Sequence, residues 1–313
     1  MFSTFIRLGA ALSCAAMLCS CGGNSVAETQ QITPEGIFTG NLVVTRTDSA
    51  GAVVKYANGN STCTESVIQF ALVTGSIYSF YPSPAHPEVL NAADFGGLTF
   101  GGNAMSASML EVIAPASVAG GSAYGSIASG LYSSMCDNFA GNVASANMVG
   151  GYQTGINLNE TLTFSGTDAS GYTNSTTTDA TTLLYDTDYQ GVQSLSTLAG
   201  TYNGYVSTSQ FSEPATFTIG PASVPANADN SLGVSVLTGT GASGCTYSGS
   251  VSPLFKGNGY TISISTGAAP CKLPQTQFGG LIYLKTSVTP NILYSFAPNS
   301  GHTDGVIFSG TRS

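Results

Sequence analysis

Cys245 to Ser265 reads CTYSGSVSPLFKGNGYTISIS, and this stretch decides the fold class. Tyr247, Gly249 and Val251 alternate with Thr246, Ser248 and Ser250, and Tyr260, Ile262 and Ile264 alternate with Thr261, Ser263 and Ser265. A period of two sends successive side chains to opposite faces of a pleated strand. Between the runs stands Gly257-Asn258-Gly259, whose residues favour a tight turn. Two short strands joined in this way read as a hairpin.

Outward from this hairpin the same texture continues in both directions. Eight candidate strands follow from Thr201: Thr201 to Thr208, Ala215 to Gly220, Leu232 to Thr238, Cys245 to Val251, Tyr260 to Ser265, Phe278 to Lys285, Ile292 to Phe296 and Val306 to Gly310. Eight short strands joined by hairpins suit a small closed barrel or a sandwich, either of which disposes of exposed edges. Upstream, strands are expected at Phe38 to Arg46, Ser66 to Thr74, Leu98 to Gly101, Ser106 to Ile113 and Leu158 to Phe164. Ala114 to Ser134 is rich in Ala, Gly and Ser and reads as loop or loosely patterned edge strand. No segment carries a convincing amphipathic helical period; a single helical turn is expected over Ser194 to Ala199, before Gly200. The expected class is all-β, with two antiparallel barrel or sandwich domains over 36–193 and 194–313, the second with about eight strands.

The first residues read differently. Arg7 is followed by an apolar or small stretch from Leu8 to Leu18, interrupted only by Ser13. That length suits the core of a signal peptide and falls short of the roughly 20 apolar residues a spanning helix needs. Leu18-Cys19-Ser20-Cys21 resembles the lipobox of bacterial lipoproteins. The resemblance implies cleavage after residue 20 and a diacylglycerol, with long acyl chains of the palmitate kind, on the Cys21 thiol. Gly22 in place of Asp after the cysteine implies, by the same resemblance, the outer membrane. The competing reading takes Cys14, Cys19 and Cys21 as ordinary residues of a cleaved signal. Residues 21–35 are polar and without apolar period, and as a flexible tether they span on the order of 20 Å.

Composition narrows the functions available. Only 7% of residues are charged, 42% are hydrophobic, and the formal net charge is -9. A chain this apolar and this weakly charged folds rather than staying disordered. Lys and Arg are scarce and unclustered, which excludes nucleic acid, since phosphate binding requires several cations in one patch. An anionic membrane surface is excluded as a partner on the same ground, so membrane attachment falls to the lipid. Cys63, Cys136, Cys245 and Cys271 remain beyond the signal, an even count that in an oxidising compartment reads as disulfides with three possible pairings. Cys63 with Cys136 and Cys245 with Cys271 is favoured, because each pair then stays within one domain. A four-thiolate metal site lacks any C-x-x-C spacing.

Two local echoes connect the halves. Gly36-Ile37-Phe38-Thr39-Gly40 matches Gly200-Thr201-Tyr202-Asn203-Gly204, and Tyr78-Ser79-Phe80 precedes His86 by the offset at which Tyr294-Ser295-Phe296 precedes His302. The spacing between the echoes differs from half to half, so a duplication in register fails, and either distant kinship with insertions or a recurrent hairpin grammar fits. The GTYNG at Gly200, SGCTYSGSVSP from Ser243, the later Cys271 and the closing GVIFSGTR together resemble a group of uncharacterised envelope lipoproteins of Gram-negative proteobacteria, mainly over Leu195 to Arg312. The resemblance implies a fold and carries no catalytic residues.

Chemistry is thinly supported. No serine has glycines two before and two after it, and there is no S-x-x-K and no P-loop. His86 and His302 lie in Pro- or Gly-containing turns, where either could act as a base beside Ser83 or Ser300, with Asp304 orienting His302. The plainer expectation is a solvated or locally hydrogen-bonded turn histidine. Asp186-Thr187-Asp188-Tyr189-Gln190-Gly191 opens like a calcium loop, yet Thr197 holds the position of the closing glutamate. Glu65, Glu111, Glu160 and Asp179 are scattered in sequence, and a glycosidase pair is a matter of spatial separation. Tyr78, Phe80, Tyr202, Tyr294 and Phe296 are expected to fill a barrel or form cross-strand pairs. No catalytic residue, metal or cofactor is read from the chain. The expected function is a non-catalytic lipid-anchored envelope protein contacting a protein, glycan or envelope component; the alternative is a lipocalin-like carrier of a small apolar ligand.

Overall fold

The computed structural model describes residues 34–48, 50–56, 58–115, 136, 143–167, 173–179, 181–191, 194–224 and 233–313, with backbone alone at 165–167, 173–179, 181 and 224. The signal, the lipobox and Cys21 lie outside these residues, as does most of the tether and of the Ala/Gly/Ser-rich stretch. Residues 32–313 form one compact unit.

That unit is two closed antiparallel barrels. The first runs through β1 (Gly36–Thr47), β2 (Val53–Val54), β3 (Cys63–Ala71), β4 (Ser76–Pro82), β5 (Leu90–Gly101), β6 (Ala104–Ile113), β7 (Val143–Gln153), β8 (Asn157–Thr167), β9 (Thr173–Asp179) and β10 (Thr181–Asp186). Short β2 pairs only with β1; β9 and β10 succeed one another along the same line between β8 and β1, so the barrel has eight strand positions. A 3-10 turn at Thr187–Gln190 and one helical turn, α1 (Leu195–Leu198), lead to the second barrel. Ser194 caps α1 by accepting the Ser196 N–H at 3.2 Å, and the helical turn falls within the stretch expected, Ser194 to Ala199.

The second barrel comprises β11 (Gly200–Ser207), β12 (Ser212–Val224), β13 (Val234–Gly241), β14 (Thr246–Pro253), β15 (Tyr260–Thr266), β16 (Gln277–Lys285), β17 (Ile292–Pro298) and β18 (Gly305–Arg312). Each strand pairs with its successor, and β18 returns to β11. Closure leaves no unpaired edge. It also forces backbones together at inward corners. A Cβ on Gly204 would lie 1.9 Å from the Ser309 carbonyl oxygen, so only glycine fits there.

Alternation sorts the apolar residues into three cores. Inside the second barrel Phe217 stacks on Phe308 with centroids 4.1 Å apart, joined by Tyr202, Tyr247 and Tyr260. Phe38, Leu42, Met105, Met109, Met148 and Leu162 fill the first barrel. The third core is a seam between the barrels, formed by outward faces of β3 to β6 against those of β16 to β18. Across it Phe70 meets Tyr283 edge-on at 4.9 Å and Phe80 meets Tyr294 at 6.1 Å. The Tyr294 hydroxyl donates to the Pro87 carbonyl, and the Leu90 N–H donates to Ser309 Oγ at 3.0 Å. Strands here are buried on both faces, Leu293 and Ala297 pointing into their own barrel while Tyr294 and Phe296 point at the other.

The aromatics divide between the two arrangements expected of them: Tyr202 lies inside its barrel, whereas Tyr78 pairs across strands with Phe95 at 4.9 Å and Tyr294 with Tyr283 at 6.3 Å. The correction is that Tyr78, Phe80, Tyr294 and Phe296 lie in the seam and not in a barrel interior. The sandwich alternative is replaced by the barrel, and the strand expected at Ser66 to Thr74 stops at Ala71 because Gly75, at φ +81°, turns the chain into β4. Disulfides join Cys63 to Cys136 and Cys245 to Cys271, with Cα atoms 5.6 and 4.5 Å apart.

Candidate functional site

Most polar residues nominated from sequence are engaged in turns. Asp304 accepts from Ser209 N–H at 3.0 Å, Ser209 Oγ at 2.6 Å and Gly305 N–H at 2.7 Å, so its carboxylate ties two loops and does not orient His302. His302 sits at φ +48° in a turn closed by its own N–H to the Asn299 carbonyl, and its ring meets Phe95 edge-on at 4.9 Å. His86 lies 3.2 Å from Glu88 and closes the turn after buried Ser83. Asp186 accepts the Asp188 N–H as a cap, and Asp188 accepts the Tyr283 hydroxyl at 3.2 Å across the seam, so both leave the calcium pattern. Among the described residues no group of three His, Cys, Asp or Glu side chains is placed to hold a metal ion. Glu65 accepts the Cys136 N–H beside the first disulfide; Asp179 is paired in register with Val43.

Two of the scattered carboxylates enter an arrangement that sequence reading missed. Gln69, Ser79, Asp94 and Glu111 are consecutive register partners on β3, β4, β5 and β6, and all four are buried. They share the inward phase of Val67, Ala71, Ile77, Ala92, Met109 and Ile113, so a polar row crosses the inner wall of the first barrel. Gln69 Nε2 donates to Ser79 Oγ at 3.1 Å, and the Tyr81 hydroxyl donates to Asp94 Oδ2 at 2.7 Å. Glu160 on β8 shares the inward phase of Leu158 and Leu162. Burial pushes its carboxyl up to about 7, with the Gln69 amide pulling partly the other way. Burial, then the charges of Asp94 and Glu111, raises the Tyr81 hydroxyl well above its ordinary value. Asp94, Glu111 and Glu160 are at most 1% exposed, which seals them from any substrate in this state. The sequence signal was a polar residue at an inward position, as Glu111 is within Met105, Ala107, Met109 and Ile113.

An open site lies on the outside of the same barrel. A groove of about 450 Å³ is lined by Phe95, Gly97, Ser108, Ser145 and Asn147, with His302 of the second barrel as its wall. It continues into a second hollow of about 560 Å³ over Thr99, Ser106 and Val149. Register explains the floor: Gly97, Ser108 and Asn147 lie side by side on β5, β6 and β7. Among the described residues no Asp, Glu, Lys or Arg lines either hollow, and those that do offer hydroxyls, an amide and two rings.

No protein-family model matches this chain. No curated protein matches it either. Among solved structures, a protein of unknown function from the DUF3598 family of Nostoc punctiforme PCC 73102 is similar at 11% identity and a TM-score of 0.25, covering 89% of this chain and 96% of its own.

Proposed function

We propose that this chain is an exported protein of the bacterial envelope, anchored by lipid on Cys21 to the outer membrane and akin to the proteobacterial envelope lipoproteins its C-terminal motifs resemble. It has no catalytic role in this reading. The double barrel is a rigid platform that presents the groove beside His302 to a protein, glycan or other envelope component. The observation that carries the reading is the use made of the polar side chains: Asp304, Asp186 and Asp188 hold turns and the seam together and do not converge on one reacting atom. Two disulfides support export, since such bonds persist in oxidising compartments. The ring-filled interior of the second barrel weighs against an apolar carrier.

Intact-mass analysis of protein isolated from membranes tests this. The expected product begins at Cys21, carries acyl chains and retains two disulfides, and Cys21→Ala moves the protein to the soluble fraction. An unprocessed, unmodified N-terminus would end the proposal.

A further inference from the structure

Among the described residues seven large apolar side chains stand more than half exposed, and four of them gather at one place. Gly36 pairs with Ala71, which sets the β3–β4 turn and Val73 beside the start of β1. Ile37 pairs with Asp186, which sets the end of β10 on the other side of that start. Leu184 pairs with Asn157, and the Tyr185 N–H donates to the Ile156 carbonyl at 2.9 Å, so the β7–β8 turn follows next. Four neighbouring strands, β3, β1, β10 and β8, therefore bring Val73, Leu184 and Ile156, exposed by 54%, 61% and 59%, to one arc of the first barrel's rim. Phe255, exposed by 83%, joins from the β14–β15 turn.

The same arc is where the chain enters the fold. Glu35, immediately before β1, accepts the Tyr189 hydroxyl at 2.5 Å and pairs with Lys256, the neighbour of Phe255, at 2.7 Å. These contacts clamp the root of the N-terminal segment against the apolar rim. Cys21 precedes Glu35 by roughly 14 residues, which even fully extended reach no farther than about 50 Å. Isolated exposed apolar residues are ordinary on a soluble surface. Four of the seven lie around the attachment point, whereas Val53 lies at the opposite end of β1, beside Thr47.

We propose that this rim rests in the headgroup–acyl boundary of the bilayer holding the anchor, with Phe255, Ile156, Leu184 and Val73 inserted. The inference rests on lipidation of Cys21. With a net charge of -9 the protein gains nothing from anionic headgroups, so apolar insertion is the contact open to it. The anchor keeps the rim at high local concentration near lipid, so a contact too weak to bind alone suffices to orient the barrels.

The chain contains no tryptophan, so one introduced at a time reports without background. Phe255→Trp, Ile156→Trp and Leu184→Trp, each in the lipidated full-length protein, are reconstituted into phosphatidylcholine–phosphatidylglycerol vesicles with and without brominated acyl chains; Val53→Trp is the control. Flotation of the vesicles reads the anchor, and quenching by bromine reads the rim. The expected result is flotation of all four, with loss of most emission at 255, 156 and 184 and none at 53. Flotation without quenching at the three rim positions overturns the rim contact and leaves the anchor standing, and equal quenching at 53 overturns it as well. Failure to float overturns both. Blue-shifted emission that grows with protein concentration without vesicles assigns the rim to a second copy of the chain, which also overturns it.

Discussion

Glu160→Gln turns the sealed interior of the first barrel into a measurable pH dependence. In the unfolded chain this carboxyl titrates at its ordinary 4.5, and in the fold burial raises it to about 7. Between those values the native protein keeps a proton that the unfolded chain releases, so stability falls as pH rises through the window and is level above it. At about 1.4 kcal/mol per pH unit, the interval amounts to about 3 kcal/mol. The glutamine amide carries no charge at any pH. The variant is therefore expected to match the parent below pH 4.5 and to exceed it by up to about 3 kcal/mol above pH 7, a rise in Tm of about 5 °C for a unit of this size. Calorimetric scans of both proteins from pH 4 to pH 8.5, with the disulfides intact, measure the difference directly. Curves that run parallel across that range would refute the assignment of a buried, charge-averse carboxyl at this position.

Two further outcomes follow from the staples and the seam. Replacing Cys245 and Cys271 by Ser is expected to cost about 3.5 kcal/mol and replacing Cys63 and Cys136 about 4.5 kcal/mol, in proportion to the logarithm of the loops closed, 26 and 73 residues; urea unfolding at pH 7 measures both, and equal losses below about 1 kcal/mol would contradict the loop argument. Phe80→Ala and Tyr294→Ala should each cost about 3–5 kcal/mol, with a coupling of about 0.5–1.5 kcal/mol in the double-mutant cycle. Strict additivity would mean the two barrels do not support each other through these rings.

The second barrel was legible because its strands obey the period of two and are separated by turn residues; a strand stands at each of the eight expected places, some longer by several residues, with Leu232, the expected start of the third, outside the described residues. The first barrel was only half legible, for identifiable reasons. β4, SIYSFYP, is buried on both faces between its barrel and the seam, so it shows no alternation. β7, VASANMVGGYQ, lines its inner phase with Ala144 and Ala146 ahead of Met148, and the two small alanines give a faint signal. β9, TNSTTTD, has no apolar residue at all. The polar row was invisible for another reason: Gln69, Ser79, Asp94 and Glu111 lie ten or more residues apart along the chain, and only strand register makes them neighbours. The groove likewise needed the second barrel in place, since its wall, His302, belongs to a hairpin far along the chain from its floor at Gly97, Ser108 and Asn147.

The return of β18 to β11 sets the order in which such a chain can assemble. Every other strand pairing in that barrel joins neighbours in sequence, whereas this one brings Arg312 back to Tyr202. A long closure carries its entropy cost before any reward, so the latch shuts last. Until then the platform against which Leu90 and Pro87 dock is missing Ser309 and Ile307. A chain emerging N-terminus first, as every chain does in synthesis, would hold both an open edge on β11 and an uncovered aromatic face on β4 until β18 emerged.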